Sequence, residues 1–600
     1  MKSKLLLLAL MRNKKPNPRW RTILRTALAV LLLAGLTACG KGGGGGGNMF
    51  GGSSSSSSSS STPAISSSDA ARFLTQATFG PTDSDITALT ISSFATWLST
   101  QTSAPVSSPT HQAWVDQQLT QLQATNPSAT LSANQFYESF WQHAVQAPDE
   151  LRQRVKFALS QIFVISLADP NVDVRGAASY YDMLGADAFG NFRQLLTDVT
   201  YHPMMGVYLT YMSNQKEDPN GTRTPDQNYA RELMQLMTIG LYKLNPDGTN
   251  QLDGSGNPIP TYSQNDILGL AKVFTGLAWY SPNPTTSTFN GGNKDPNATI
   301  TPMIAYPQFH STSEKDFLGV TILATSTPDT VGDVKIALDT LFNHPNVGPF
   351  ISFRLIQQLV TSNPSPAYVQ RVASVFNNNG SGVRGDMTAV ITAILTDTEA
   401  RTAANETAPG FGKLREPVVR LANWMRAFSV TSQSGNWLMT STSASTSLGE
   451  SPLTSSSVFN FWRPGYAPPN TQLAANNLLA PEFQSVNEVT NAGYLNTMQG
   501  AIGNGIGSVP SGGSGADIQS QYSAETAVAN DASALADLMN RLLLYGQMSS
   551  TLHQRLVDAV NGVAIPGGSA TQAQINAALL NRAKIAVFLT MASNEYLAQR

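Results

Sequence analysis

The chain has 600 residues, 41% of them apolar, so it can bury large cores and exceeds the length of one ordinary domain. Residues 1–38 hold eight basic and no acidic residues; taking those eight from 37 leaves 29 basic against 39 acidic ones, a balance of about −10. That acidity excludes general nucleic-acid binding, which needs a basic footprint. The one cysteine is Cys39, so the body has no internal disulfide, thiolate zinc site or cysteine nucleophile.

In chain order, the first element is a secretion signal. A basic stretch from Met11 to Arg25 precedes an apolar run, Ala27 to Leu36, and then Leu36-Thr37-Ala38-Cys39-Gly40. The apolar run is shorter than the roughly 20 residues of a spanning helix. Leu-Thr-Ala-Cys is similar to the bacterial lipobox, in which the cysteine is acylated and becomes the first mature residue. The expectation is a signal peptide over 1–38, lipidation at Cys39 and anchorage of an exported chain to a membrane. Gly40, in place of Asp, at the next position permits transport to the outer membrane or cell surface if the cell is Gram-negative. Gly42 to Gly47 and Ser53 to Ser61 then give a flexible tether over 39–68.

From residue 69 to 600 the apolar period is helical. Helices are expected at Ala70–Ala77, Glu150–Leu167, Asn265–Thr275, Val334–Phe342, Phe350–Val360, Pro366–Asn377, Thr388–Asp397, Glu416–Phe428, Ala534–Gly546, Ser550–Val560 and Thr571–Ser593. Strand signals are thin, the best being the turn Asn245-Pro246-Asp247-Gly248 between two short strands. The fold class is therefore mainly α, a large irregular multi-helix domain with long loops and one small β-hairpin. Polar stretches at 281–300, 431–457 and 502–525 read as domain linkers or long surface loops.

One helix gives a closer reading. Thr224-Pro225-Asp226-Gln227 has the pattern of a capping box with proline at the first helical position, and Gly240 that of a terminator. Asn228, Arg231, Glu232 and Gln235 then share one face, opposite Tyr229, Leu233, Leu236 and Met237. That face is either solvated or lines a cleft with a carboxylate and a guanidinium.

No zinc-binding HExxH, nucleophile elbow or phosphate loop is present, and no cofactor is implied. His202 and His344 precede prolines, which puts them at helix ends, near backbone carbonyls; His310 reads as a loop residue entering a helix. Glu232, Arg231, His202 and His310, with Asp266, are the candidates for an acid–base or metal site gathered across the fold. Asn245, Asp247 and Asp253 offer oxygen ligands for calcium, without the spacing of an EF-hand. The aromatic run Phe459 to Pro469 suits stacking on sugar rings, packing against a partner, or plugging the core.

Several segments resemble the large bacterial family known as domain of unknown function 1800. They are Ala71–Thr82 (ARFLTQATFGPT), Phe157–Ser166 (FALSQIFVIS), Tyr180–Leu209, Asn228–Thr249, His310–Gly319, Phe342–Val369, Phe411–Leu421 and Ser457–Pro469 (SVFNFWRPGYAPP). The resemblance implies a secreted, mainly helical domain over most of 70–600, uncut at the Ser-rich loops. It also implies an exported protein partner, because members often pair with a second exported family, and it brings no reaction. Two functions follow as expectations: binding of a partner protein or polymer at the cell envelope, or hydrolysis of an envelope or extracellular polymer.

Overall fold

A computed structural model describes residues 65–600, so the signal segment, Cys39 and nearly all of the tether lie outside the described residues. The described chain is mainly helical, 52% helix against 5% strand. It divides into two compact units. The larger comprises Ile65–Gln521, Arg541–Gln547 and Asn594–Arg600; the smaller contains Tyr522–Asn540 and Met548–Ser593. The change of unit at Gln521 falls inside the polar stretch 502–525.

In the larger unit the relevant helices are α1 (Glu150–Ser160), α2 (Val174–Ala186), α3 (Phe192–Tyr201), α4 (Pro203–Tyr208), α5 (Asn228–Glu232), α6 (Gln264–Val273), α7 (Thr330–Asn343), α8 (Val347–Leu359), α9 (Pro366–Asn377) and α10 (Met387–Thr396). Helix α9 shows how the sequence makes them. Ser365 caps it by accepting the Tyr368 N–H, and Pro366 presets the first turn. Tyr368, Val369, Val372, Ala373 and Phe376 form its buried stripe, which packs on α8 and α10. Each such buried side chain contributes about 1.5–3 kcal/mol.

Helix α1 ends at Ser160, seven residues before the expected Leu167. The following Ile162, Phe163, Val164 and Ile165 are buried on every side, so the run threads the core as irregular chain. Its carbonyls find other partners: the Tyr180 hydroxyl donates to Phe163 O at 2.9 Å. The β-branched residues favour that exit over a further helical turn.

The polar stretches are not plain linkers. Thr431–Ser432 pairs antiparallel with Ile518–Gln519, joining two of them within the larger unit. Asp517 fastens the junction by accepting from Ser432 Oγ (2.7 Å), Ser434 N (2.7 Å) and Leu438 N (2.9 Å). In the stretch 281–300, Phe289 is fully buried and stacks on Phe309 with centroids 3.8 Å apart.

The turn at Asn245–Gly248 forms, with Gly248 N donating to Asn245 O at 2.9 Å, but its flanks make only isolated bridges. A regular hairpin lies elsewhere, β1 (Lys315–Phe317) against β2 (Val320–Ile322), turning on Leu318 and Gly319, both with positive φ. In the smaller unit, Ala536, Leu556, Ala559 and Leu589 form a core, and Arg582 donates to Val563 O at 2.9 Å and Ala529 O at 3.1 Å. Among the described residues no helix is long and apolar enough to cross a membrane.

Candidate functional site

The four side chains singled out in the sequence occupy separate surroundings. His202 links α3 to α4 and is buried; its Nδ1 accepts the Met204 N–H at 3.2 Å, and its ring packs edge-on against Tyr180. Burial pushes it down to about 3, so it stays neutral. His344 does the same at the start of α8, where Nδ1 accepts the Asn346 N–H at 3.1 Å. Both histidines therefore answer orphan N–H groups at a helix start, and not carbonyls as expected. A neutral imidazole next to proline leaves its lone pair free for that role.

His310 is followed by a β-hairpin, β1–β2, where the sequence suggested a helix. The ring is wholly buried. Nδ1 lies 2.8 Å from Thr275 O and Nε2 2.9 Å from Asp333 Oδ2, so both of its closest partners are acceptors. Lys315, also fully buried, reaches the same carboxylate oxygen at 2.9 Å. Burial acts to raise the Asp333 carboxyl, but the bonds from His310 and Lys315 outweigh it and hold the group below the usual range. Ser311 and Ser313 donate beside it to Glu217. Asp266 completes a capping box with Ser263 and accepts the Leu318 N–H at 2.6 Å, tying α6 to the hairpin.

Glu232 ends α5. It is buried, and its Oε2 has no hydrogen-bond partner. Burial raises its carboxyl; the charge of half-buried Arg231 acts the other way without forming an ion pair. None of Glu232, His202 and His310 bonds to another, and no residue bonds to two of them. Among the described residues no three His, Cys, Asp or Glu side chains gather as metal ligands would. Asp247 and Asp253 spend their carboxylates inside their own turns, Asp247 on Thr249 N (2.9 Å) and Asp253 on Ser255 N (2.8 Å) and Asn257 N (2.9 Å).

Two other titratable clusters are interior. Ser139 Oγ, His111 and Lys156 Nζ form a chain, with Oγ to Nδ1 2.7 Å and Nε2 to Nζ 2.9 Å, and all three residues are buried. Burial lowers Lys156 to about 8 and holds His111 well below its ordinary value. Buried Lys413 bridges Glu416 and Glu482, each at 3.1 Å. These arrangements hold helices together, since breaking a buried pair leaves an uncompensated charge.

Two of the highlighted segments do converge. The helix expected from Pro225 to Gly240 begins only at Asn228, where Asp226 Oδ1 accepts the Asn228 N–H at 2.8 Å in place of the Thr224 capping box. After Glu232 it widens into a π segment, Leu233–Thr238, and ends at Gly240 with φ +72° as expected. The wider turn shifts the faces that a 3.6-residue period predicts. Gln235 and Leu236, assigned to opposite faces in the sequence, both line one groove of about 330 Å³. Its other walls come from Leu241 and Leu244, from Pro349, Phe350, Phe353 and Arg354 of α8, and from Phe459, Arg463, Pro464 and Gly465 of the aromatic run. Gln357 of α8 pins that run by donating to Pro464 O at 3.3 Å, while Trp462 is buried and anchors it in the core.

The groove is apolar, and its only charged lining residues are Arg354 and Arg463. Arg354 is half-buried, and its one hydrogen bond is a long one to Gln357 Oε1, 3.3 Å. Burial lowers its guanidinium to about 9, which still leaves it charged at neutral pH. Arg463 lies over the Phe459 ring at 5.3 Å. The sequence reading missed Arg354; the signal was a lone Arg among Phe350, Ile351, Leu355 and Ile356 on one apolar helix.

No curated protein and no solved structure matches the chain. The family described as protein of unknown function, DUF1800, matches residues 72–598, covering nearly all of the described chain in both units. This chain belongs to the DUF1800 family.

Proposed function

We propose that this protein is an exported, lipid-anchored binding protein that holds a partner protein or polymer at the cell envelope through the groove beside α8. The observation that carries the reading is that groove. It joins the partly buried aromatic run to a half-buried guanidinium with no carboxylate among the lining residues, and such mostly apolar concavities are where ligands seat. The signal sequence, the single cysteine at Cys39 and the Gly/Ser tether support an anchor that lets the body reach outward from a membrane.

Gly465 supplies the test. It lines the groove, an added Cβ there would meet nothing within 4 Å, and its φ is not in the left-handed region. Gly465→Leu therefore adds a bulky apolar side chain at the groove lining with no clash at its Cβ. Recovery of partner from membrane extracts by the full chain should fall about tenfold or more in this variant, with its melting temperature unchanged. Equal recovery by the two proteins would refute the groove as the binding site.

A further inference from the structure

The chemistry of the groove narrows what it accepts. Its walls are Leu and Phe side chains, and apart from the two guanidiniums Gln235 is the only polar side chain that lines it. An extended peptide brings one N–H and one C=O per residue, each needing a partner. Almost none is on offer, whereas an alkyl chain asks for none. The volume is at the small end of ligand sites and cannot take an α-helix, whose diameter is about 10–12 Å.

The charges point the same way. No acidic side chain lines the groove, so Arg354 and Arg463 make a local positive site on an otherwise acidic body. Among the described residues Arg354 makes one hydrogen bond, the long one to Gln357, which leaves most of its five donors for an anion. The protein's own tether is a poor occupant. It offers the apolar pair Met49-Phe50, but residues 1–68 contain no acid to meet the two guanidiniums.

We propose that the groove is a site for a single alkyl chain ending in a carboxylate, a long-chain fatty acid, with the chain against Phe350, Phe353 and Phe459 and the carboxylate on Arg354. This inference rests on the reading of the groove as a binding site and narrows it: what the groove takes from a partner is an acyl chain with an acidic head, and not its peptide backbone. A guanidinium holds a carboxylate by paired, charge-assisted hydrogen bonds, strongest where surrounding apolar groups exclude water.

The test uses the full chain carrying Cys39→Ser, which needs no detergent, and isothermal titration with dodecanoate, methyl dodecanoate and dodecyltrimethylammonium below their micelle concentrations. Dodecanoate should bind saturably with one site, and the other two at least about tenfold more weakly, because they lack the anion. Arg354→Gln should weaken dodecanoate by a similar factor, with Arg354→Lys between them, and Gly465→Leu should remove binding. Equal affinity for the acid and its methyl ester, an unchanged Kd in Arg354→Gln, or undiminished binding in Gly465→Leu would each overturn the proposal. The two readings fail separately. Loss of partner in Gly465→Leu without dodecanoate binding leaves the binding protein and removes the fatty acid; dodecanoate binding with partner recovery intact does the reverse.

Discussion

Glu232 sits where water scarcely reaches it, with one carboxylate oxygen unpartnered and Arg231 near enough to act on its charge yet not bonded to it. Its folded-state carboxyl is raised by burial, so the folded state keeps the proton to higher pH than the unfolded chain does. The associated stability is fully present below the ordinary value of 4.5 and is lost as pH rises through the folded value. Glu232→Gln should therefore leave stability unchanged or raise it by about 1 kcal/mol near pH 7, and the difference should vanish near pH 4. Urea melts of the two proteins at both pH values measure this; a clear loss of stability at neutral pH would show that the carboxylate has a partner. At this scale the sequence left open whether the face of Glu232 is solvated or lines a cleft, and the structure buries the residue. The sequence did not reveal whether Arg231 pairs with Glu232, because that depends on side-chain direction in a helix that changes its period midway.

The element that decides the groove is the π segment Leu233–Thr238 with its glycine stop. Thr238 Oγ1 donates to Leu233 O five residues back, and Gly240 N donates to Met234 O at 2.9 Å, so the widened turn closes on itself. Gly240 has φ +72°, and a Cβ there would lie 2.9 Å from Phe350 Cδ2 on the groove wall. Gly240→Ala should cost about 1–3 kcal/mol from the left-handed backbone and the clash together. The denaturant midpoint would report it, and a midpoint within error of wild type would mean that the turn and Phe350 yield freely. The stop at Gly240 was legible because glycine there has one physical use. The start was not: the capping-box pattern at Thr224 lost to an Asx turn at Asp226, whose backbone N–H is itself held by Asn214 Oδ1 at 2.9 Å, twelve residues earlier and outside the helix.

For the molecule as a whole, the family match and the helical period agree across both units, from residue 72 to 598. The proposed anchor belongs to this scale too, since on that reading one residue, Cys39, sets where the rest resides. Cys39→Ser should abolish fatty-acid labelling and move the protein from the membrane to the soluble fraction, because several acyl chains on one residue hold far more firmly than one. Labelling that persists in the variant would end the lipoprotein reading.

By itself the sequence determined the helices whose ends carry their own chemistry. Pro366–Asn377 is found as expected, because Ser365, Pro366 and the buried stripe all act within one element. It also determined the helical class, since a 3.6-residue apolar period needs no knowledge of neighbours. Only the tertiary structure decided that Glu232, His202 and His310 stand apart, that His310 shares Asp333 with Lys315, and that α8, the π segment and the aromatic run enclose one groove. The groove joins segments about a hundred or more positions apart in the chain and His310 meets Asp333 across 23, and whether such residues meet is fixed by how the elements pack, which no local pattern encodes.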